Sequence, residues 1–535
     1  MSEGSTSWSV VALTALAVAA PFNVRVSSSA WTDLHLRILV VIGLAIAVSV
    51  VVHSLSGPQR RKIDWIDALC AWWFVAVWVS TALSASPFVG SGGAVRLSIP
   101  ILLLPAVRHS IRTQRDAIVL LRGVASGALL GALVGLLVWL LGSRLDPTQV
   151  FVGQVTSLGP FQRLTSPWAH ANVAAMALGA TLATGATLRP RALAAVALCF
   201  SVVALVLTTS RGGLLAGAVA VFAWMSIRRR RTESVAAFAL IGVAAATFFM
   251  SPAWSARVDQ LGDEAFYNVS IVAPVDFTIG EANDHQLIVG ITNRSSTTWS
   301  KAGADRVLIS ARWFGPDGLI WTEDRWELPD DLRPGESVDA YLGIEPRLPI
   351  GDAYHVRWDL LILDTAYFGQ FIGLPPVLSS ARITSSPVQP NQLQRYPLVE
   401  RTMRLDRPYT WRLAWEEFTS NPLLGVGPNQ FGDAATDDLF AENQQVGSHA
   451  HNIVLEPLAT WGLIGALPFF ALFAAAIGRS TSRAWRDRTL LSTVVAVGIV
   501  AVATHGLVDW PLVVVTTGIP IGLLLGLALS RLEPA

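Results

Sequence analysis

The sequence predicts an all-α polytopic membrane protein with an extracytoplasmic all-β domain inserted between two groups of helices. Hydrophobic residues make up 52% of the 535 residues and charged residues only 14%, whereas an ordinary soluble domain carries about one quarter charged residues. Long apolar segments recur along the chain. One long segment of polar and alternating residues interrupts them, which predicts the inserted domain.

Twelve apolar segments are long enough, or nearly so, to cross a membrane as helices. A spanning helix needs about twenty apolar residues, because lipid offers no partner for unpaired backbone groups. Spans 1 to 9 are predicted within residues 1–253 and spans 10 to 12 within residues 451–535. The predicted spans are 8–22, 34–55, 66–84, 94–107, 117–142, 169–187, 191–209, 212–227, 235–253, 451–478, 489–508 and 511–530.

Basic residues cluster in the loops that follow the even-numbered spans. This bias marks cytoplasmic loops, because short translocated loops carry few positive charges. We therefore expect a multi-pass plasma-membrane protein with both termini in the cytoplasm, and with Ser210-Arg211 and residues 254–450 on the opposite side. The basic residues are Arg60, Arg61, Lys62, Arg108, Arg112, Arg115, Arg189, Arg191, Arg228, Arg229, Arg230, Arg231, Arg479, Arg483, Arg486 and Arg488.

Residues 267–384 alternate apolar and polar side chains with a period of two. Such alternation between turn signals predicts an antiparallel β-sandwich. The stretch from Thr292 to Trp299, with Arg333-Pro334-Gly335-Glu336 later, resembles bacterial Ig-like accessory modules. The turn signals are Pro316-Asp317-Gly318 and Pro334-Gly335, and the alternating residues are Leu287, Val289, Ile291, Val307, Ile309, Ala311, Trp313, Val356, Trp358, Leu360 and Ile362.

Residues 408–420 predict an amphipathic helix in the same external segment. Proline in the first turn suits a helix start. Trp411, Trp415 and Phe418 fall on one apolar side, and a helix of this kind can lie at the membrane surface.

Composition excludes several classes of protein. Cys70 and Cys199 are the only cysteines and both lie in apolar segments, which excludes a disulfide scaffold and a cysteine-ligated metal site. The 39 basic and 38 acidic residues nearly balance, so no nucleic-acid partner is predicted. No G-x-x-x-x-G-K-[ST] motif occurs, which argues against an ATP-driven transporter. No cofactor and no metal site are predicted.

The first candidate site residues lie at the predicted external corner between spans 7 and 8. Ser210 and Arg211 precede two glycines at the start of span 8. An arginine at the edge of the hydrocarbon is costly unless it faces a partner or a wet cavity, and a helix N-terminus favours an anion. The alternative is an interface arginine that only reaches the lipid headgroups.

The second candidate cluster opens span 10 and contains His449, His451, Asn452 and Glu456. A histidine near neutral pH can accept a proton from a hydroxyl. Two histidines at i and i+2 of a helix do not share a face, which argues against a zinc site made of histidines. Glu456 would orient a histidine, neutralise an arginine or only begin the helix. Capping or interface histidines are the alternative.

Further candidates are Arg163 and Asn172 before span 6 and Arg412 on the amphipathic helix. With Arg211 they place several guanidinium groups on one predicted face of the membrane. Planar guanidinium forks suit a diphosphate.

Together these features resemble the O-antigen ligase and polymerase superfamily. The shared features are the twelve spans, the Ser210-Arg211-Gly212 corner, the large external loop, and His451-Asn452-x9-Gly462-x-x-Gly465. Residues 421–431 are similar to the family's P-x-x-G-x-G segment. The inserted β domain departs from the family pattern. The resemblance therefore implies the chemistry but not the identity of the acceptor.

The resemblance implies a GT-C type membrane glycosyltransferase that is inverting and independent of metal. Arg211, Arg163 and Arg412 would hold the diphosphate of a polyprenyl-diphosphate-linked glycan, and His451 would act on an acceptor hydroxyl of a glycan, lipid or protein. Supporting residues would be Asn452, Glu456, His449, Ser210 and Asn172. A ligase and a polymerase share these motifs, and a polysaccharide transporter or a glycan-binding membrane protein is the alternative of another class. Oligomeric state stays open.

Overall fold

The computed structural model is mostly helical, with a separate β region between two groups of apolar helices. It describes residues 7–22, 38–56, 62–141, 157–158, 161–168, 170–251, 254, 267–280, 286–302, 306–315, 319–344, 348–362, 366–368, 377–385, 396–397, 407–431, 449–512 and 514–533.

Each of the twelve predicted spans overlaps a helix. The helices are α1 (Trp8–Ala19), α2 (Ile38–Ser56), α3 (Trp65–Ala82), α4 (Pro87–Ser110), α5 (Gln114–Leu141), α6 (Ala171–Thr181, continued by a 3₁₀ turn at Leu182–Thr187), α7 (Arg191–Leu207), α8 (Arg211–Arg228), α9 (Arg231–Met250), α10 (Arg407–Ser420), α11 (Leu455–Asp487), α12 (Leu490–Gly506) and α13 (Val515–Leu529). Within the described residues, α3, α4, α5, α9 and α11 are each long and apolar enough to cross a membrane. Twelve crossings stay a prediction, because the other helices do not meet both criteria over the residues described.

Helix α5 carries glycines at a spacing of four residues, at positions 123, 127, 131 and 135. A Cβ atom at Gly127 would lie 2.5 Å from the carbonyl oxygen of Ala17 in α1, and one at Gly135 would lie 2.5 Å from that of Ser166. Small residues let neighbouring backbones approach closely in membrane proteins. The glycine stripe therefore seats both α1 and the segment that begins at Arg163.

Buried charges join the start of α3 to the end of α4. Arg108 donates to Asp64 over 2.8 Å and also pairs with Asp67, while His109 Nε2 lies 3.1 Å from the Asp67 carboxylate. Asp64 also caps α3 by accepting the N–H of Ile66. Buried charges persist only when paired, so this network fixes the two helices at the end that the arginine bias predicts to be cytoplasmic.

The described strands of the β region form two sheets. A hairpin of β1 (Ser157–Leu158) and β2 (Phe161–Gln162) lies earlier in the chain. The strands of the two sheets are β3 (Val269–Val272), β4 (Asp276–Ile279), β5 (Gln286–Asn293), β6 (Val307–Phe314), β7 (Leu319–Glu327), β8 (Ser337–Gly343), β9 (Gly351–Ile362), β10 (Ala366–Tyr367), β11 (Val377–Ile383) and β12 (Tyr396–Pro397). One sheet has the order β3-β5-β8, and the other has the order β12-β7-β6-β9-β11-β4, with β10 paired to β9.

Both sheets contribute to one buried core. Val289 and Ile291 of β5 belong to the same apolar cluster as Ile309 and Trp313 of β6 and Trp358 of β9. Burial in β5 alternates along the strand, as a period of two requires. Membership of the Ig-like class stays a prediction.

One strand pair differs from the predicted antiparallel arrangement. Strands β4 and β11 run parallel, with Phe277 opposite Ala381. Parallel neighbours need a long connection, which the intervening strands supply, and local alternation carries no information about such a distant pairing.

Pro334-Gly335 forms a turn in which the Glu336 N–H donates to Arg333 O. The predicted turn at Pro316-Asp317-Gly318 lies outside the described residues.

Helix α10 packs on α11 through a side that carries few apolar groups. Thr410, Ala414 and Glu417 are buried, whereas Trp415 is 52% exposed and contacts Phe418 with ring centroids 5.4 Å apart. Trp415 therefore points away from the core, which suits a helix at a membrane surface, whereas Trp411 and Phe418 are partly buried.

Candidate active site

The loop before α11 is clamped to the turn between α12 and α13. Ile453 N–H donates to Gly506 O over 2.7 Å, and Asn452 Nδ2 donates to Leu507 O over 3.0 Å. Asn452 Oδ1 also accepts the N–H of Val454 at the helix start. Asn452 therefore fixes this loop, which we call the histidine loop (residues 449–454), rather than extending the helix.

His451 lies on this loop and not on the helix that span 10 predicts from residue 451. Helix α11 begins at Leu455, and His451 has φ +50°. A left-handed conformation costs a non-glycine residue about 1–2 kcal/mol, and such strain tends to persist at functional sites. The bend brings the His449 and His451 rings together, with centroids 4.0 Å apart.

Asp509 holds both imidazoles. Its Oδ1 lies 2.9 Å from His451 Nδ1 and 3.4 Å from His449 Nε2, and it also accepts the N–H of Trp510. Burial raises the pKa of Asp509, but the neighbouring His451 and His449 lower it more, so the net pKa lies well below its usual range. A carboxylate can only accept, so the Nδ1–H of His451 donates to it, and Nε2 of the neutral ring keeps a lone pair.

Glu456 fixes the backbone between the two histidines. Its buried carboxylate accepts the N–H of Ala450 over 2.6 Å. This contact orients the histidine loop. The carboxylate acts on the main chain rather than on an imidazole ring.

A second group of site residues comes from the connection between α5 and α6. Arg163 is 7% exposed, and its Nε donates to Thr208 O over 2.9 Å while one terminal nitrogen donates to Asn172 Oδ1 over 3.1 Å. The Asn172 N–H donates to His170 Nδ1. His170 lies close enough to Asp509 and to Arg163 for their charges to act on its ring. The structure therefore brings this segment beside the histidine loop.

The corner between α7 and α8 packs against the turn that carries Asp509. Ser210 Oγ accepts the Gly213 N–H and caps α8, and Arg211 is the first helical residue, with an exposed side chain. A Cβ at Gly212 would lie 2.7 Å from Val508 Cγ2. Only glycine allows this approach, which places Arg211 next to the residues before Asp509.

The glycine motif of α11 lies where the backbones of two segments bond to each other. Gly462 has φ +57° and interrupts the helix, so the following Leu463 N–H donates to Pro422 O over 2.8 Å. In return, Val426 N–H donates to Ala459 O over 2.9 Å. The P-x-x-G-x-G segment and the motif Gly462-x-x-Gly465 therefore bind each other.

We expect Gly462→Ala to destabilise the protein by about 1–3 kcal/mol, because a left-handed alanine is strained and its Cβ would overlap the Leu423 carbonyl group. Gly478→Ala is the matched control: it lies in the same helix with no atom near the added Cβ, and alanine favours a helix interior. Thermal unfolding in detergent compares the two. Equal unfolding midpoints of the two variants would contradict the structural role of this backbone contact.

Arg412 is exposed on α10. The helix packs beside the histidine loop, since Ala414, Ala450 and Ala459 share one buried cluster. The contact of Arg412 with a diphosphate stays a prediction.

Sequence reasoning missed Asp509 and His170. Asp509 lies between two apolar helices without a surrounding motif, and a carboxylate between spans was the available signal. His170 stands between Arg163 and Asn172 in the sequence, and this position was the available signal. Two imidazoles and a carboxylate at these distances are also potential metal ligands.

Residues 399–470 match a family model described as O-antigen ligase. The matched segment contains α10, the P-x-x-G-x-G segment, the histidine loop and the first half of α11. A search of curated proteins gave no match. The superfamily resemblance of the sequence is therefore confirmed, and the match indicates glycan ligation or polymerisation in a membrane.

Proposed function

We propose that this chain, which carries an O-antigen ligase domain at residues 399–470, transfers a glycan from a polyprenyl-diphosphate-linked donor to an acceptor hydroxyl. The observation that carries the proposal is the contact between His451 of the histidine loop and Asp509 of the turn after α12, with Nδ1 and Oδ1 2.9 Å apart. Polymerisation uses the same chemistry and differs only in the acceptor.

The reaction is a single displacement at the anomeric carbon. His451 Nε2 takes the proton of the acceptor hydroxyl as its oxygen bonds to that carbon, and the bond from carbon to the diphosphate oxygen breaks. The configuration inverts, and polyprenyl diphosphate leaves with the electron pair. Asp509 stabilises the imidazolium that forms, as a carboxylate does in a catalytic triad.

Guanidinium groups stabilise the charge that develops on the leaving diphosphate. Arg211 and Arg163 are assigned to this task because one adjoins the turn before Asp509 and the other bonds Thr208 O in the same corner. A diphosphate is already activated as a leaving group, so guanidinium forks suffice in place of a divalent cation. Arg412 on α10 is the third proposed contact.

Incubation of purified protein with a lipid-linked glycan and a candidate acceptor tests the function. Release of polyprenyl diphosphate together with a new acceptor-linked glycan is the expected result. Chain extension of the lipid-linked glycan instead identifies a polymerase. Movement of intact donor across a vesicle membrane without release would favour a transporter and overturn the proposal.

Arg211→Ala is expected to lose at least about tenfold in donor affinity or turnover, because charge-assisted bonds to a diphosphate are lost. Arg211→Lys should recover little, since a point charge cannot replace a planar fork. Arg163→Ala and Arg412→Ala should show similar or smaller losses. Wild-type turnover and donor affinity in all three alanine variants would contradict the diphosphate contacts.

The active site is proposed to face the outside of the plasma membrane, with both termini in the cytoplasm. Cysteines at Ser300 in the β region and at Ser482 near the end of α11 test this orientation, because both residues are at least partly exposed. An impermeant reagent should label position 300 but not position 482 in intact cells. Labelling of position 482 alone would reverse the topology.

A further inference from the structure

Three side chains of the candidate active site converge as metal ligands do. His449 Nε2, His451 Nδ1 and an Asp509 carboxylate oxygen all lie within 4.8 Å of one another. Two histidines at i and i+2 fail to share a face only if both lie on a helix, and His449 and His451 do not. They lie before α11, on a loop whose bend brings the two rings within 4.0 Å of each other, centroid to centroid.

The ligand set fits one class of ion. Two imidazoles and one carboxylate, with a water as the fourth ligand, are a common tetrahedral arrangement for Zn²⁺. Hard ions such as Mg²⁺ and Ca²⁺ prefer sites made of oxygen alone. The chemistry therefore selects a borderline-soft divalent cation.

The ligands are held in place and reachable. Contacts of Ile453 and Asn452 with the turn between α12 and α13 fix the loop. The free-energy cost of ordering the ligands when an ion binds is therefore small. The side chains of His449 and His451 are 18% and 34% exposed, and that of Asp509 is 6% exposed. An ion thus has access from the histidine side, while the carboxylate lies behind it.

We propose that His449, His451 and Asp509 form a Zn²⁺ site and that its occupancy inhibits the transfer reaction. The inhibitory part depends on the proposed function, whereas the binding site does not. The metal occupies the position at which the two imidazole N–H groups otherwise donate to Asp509. Metal-free protein is the active form.

Inhibition follows from the position of one proton. In the metal-free site His451 carries its proton on Nδ1, which donates to Asp509, and Nε2 accepts the acceptor proton. A metal ligand must offer a lone pair, so a metal on Nδ1 forces the remaining proton of the neutral ring onto Nε2. His451 then has no basic nitrogen for the acceptor hydroxyl, and transfer stops.

The test measures Zn²⁺ binding by the full chain in detergent, by competition with a chromophoric chelator. Co²⁺ in place of Zn²⁺ reports the coordination geometry through its visible absorption. We expect His449→Ala, His451→Ala and Asp509→Asn each to weaken affinity by at least about tenfold, the loss seen even for outer-shell partners. His355→Ala, on an exposed position of β9, is the matched control and should bind as the wild type does.

Wild-type affinity in all three ligand variants would overturn the site. Zn²⁺ should also reduce glycan transfer by the wild type, and EDTA should restore it. Binding without inhibition would overturn the inhibitory role and leave the site, whereas activation by Zn²⁺ would overturn both that role and the metal-independent reaction. Absence of any transfer with intact Zn²⁺ binding would refute the proposed function alone.

Discussion

His451→Ala is expected to lower glycan transfer by roughly 10²–10⁴-fold at saturating donor, the range for removal of a general base. Because His451 Nδ1 donates to Asp509, Nε2 keeps the lone pair that takes the acceptor proton in the proposed reaction. No donor contact is removed, so binding of the lipid-linked glycan should be retained. The measurement is polyprenyl diphosphate release by purified protein, with donor binding determined separately.

His449→Ala separates the roles of the two histidines. His449 lies farther from Asp509, at 3.4 Å against 2.9 Å for His451, so a smaller loss is expected. His355→Ala on β9 controls for the general effect of losing an imidazole. Near-normal turnover of His451→Ala would contradict the assignment of His451 as the general base. A larger defect in His449→Ala would assign that role to His449.

The helices were predictable from the sequence because apolar segments of sufficient length have few alternatives in a membrane. The start of α11 was not predictable by the same argument. Ile453 and Val454 are apolar and continue the hydropathic segment, although the chain bends there and Ile453 bonds to Gly506. Hydropathy records burial and carries no record of backbone direction.

The candidate site was partly predictable, because its arginines and histidines fall at one predicted side of the membrane. Asp509 was not, since 58 residues separate it from His451 and the contact depends on packing of α11 against α12. Gly425 and Gly462 were predictable as members of two motifs, the P-x-x-G-x-G segment and Gly462-x-x-Gly465. Their reason, a close approach of two backbones with φ of +66° and +57°, appears only in the fold.

In the β region, too, the strands were predictable from the sequence and one of their pairings was not. Alternation in β5 and β6 predicted strands, because side chains of a strand point to opposite faces. The parallel pairing of β4 with β11 joins strands at opposite ends of the domain. Nothing local to either strand records that partner.

Asp509→Asn is expected to lower turnover by roughly 10²–10⁴-fold, close to the loss when the carboxylate of a catalytic triad becomes an amide. The amide has the same shape and its oxygen can still accept the Trp510 N–H, so folding should be retained. It carries no charge to stabilise the His451 imidazolium. In the Oδ1 position the amide oxygen also accepts the Nδ1–H of His451, so the variant removes the negative charge and keeps the hydrogen bond.

The expected pattern is a fall in kcat with an unchanged KM for the donor and an unchanged unfolding midpoint, since Asp509 acts through His451 rather than on the diphosphate. Asp339→Asn, an exposed carboxylate of β8, is the matched control. A double variant with His451→Ala should be little worse than either single variant, because residues that act as a unit are not additive. Additive losses would show that Asp509 acts independently of His451, and near-normal kcat in Asp509→Asn would remove the carboxylate from the mechanism.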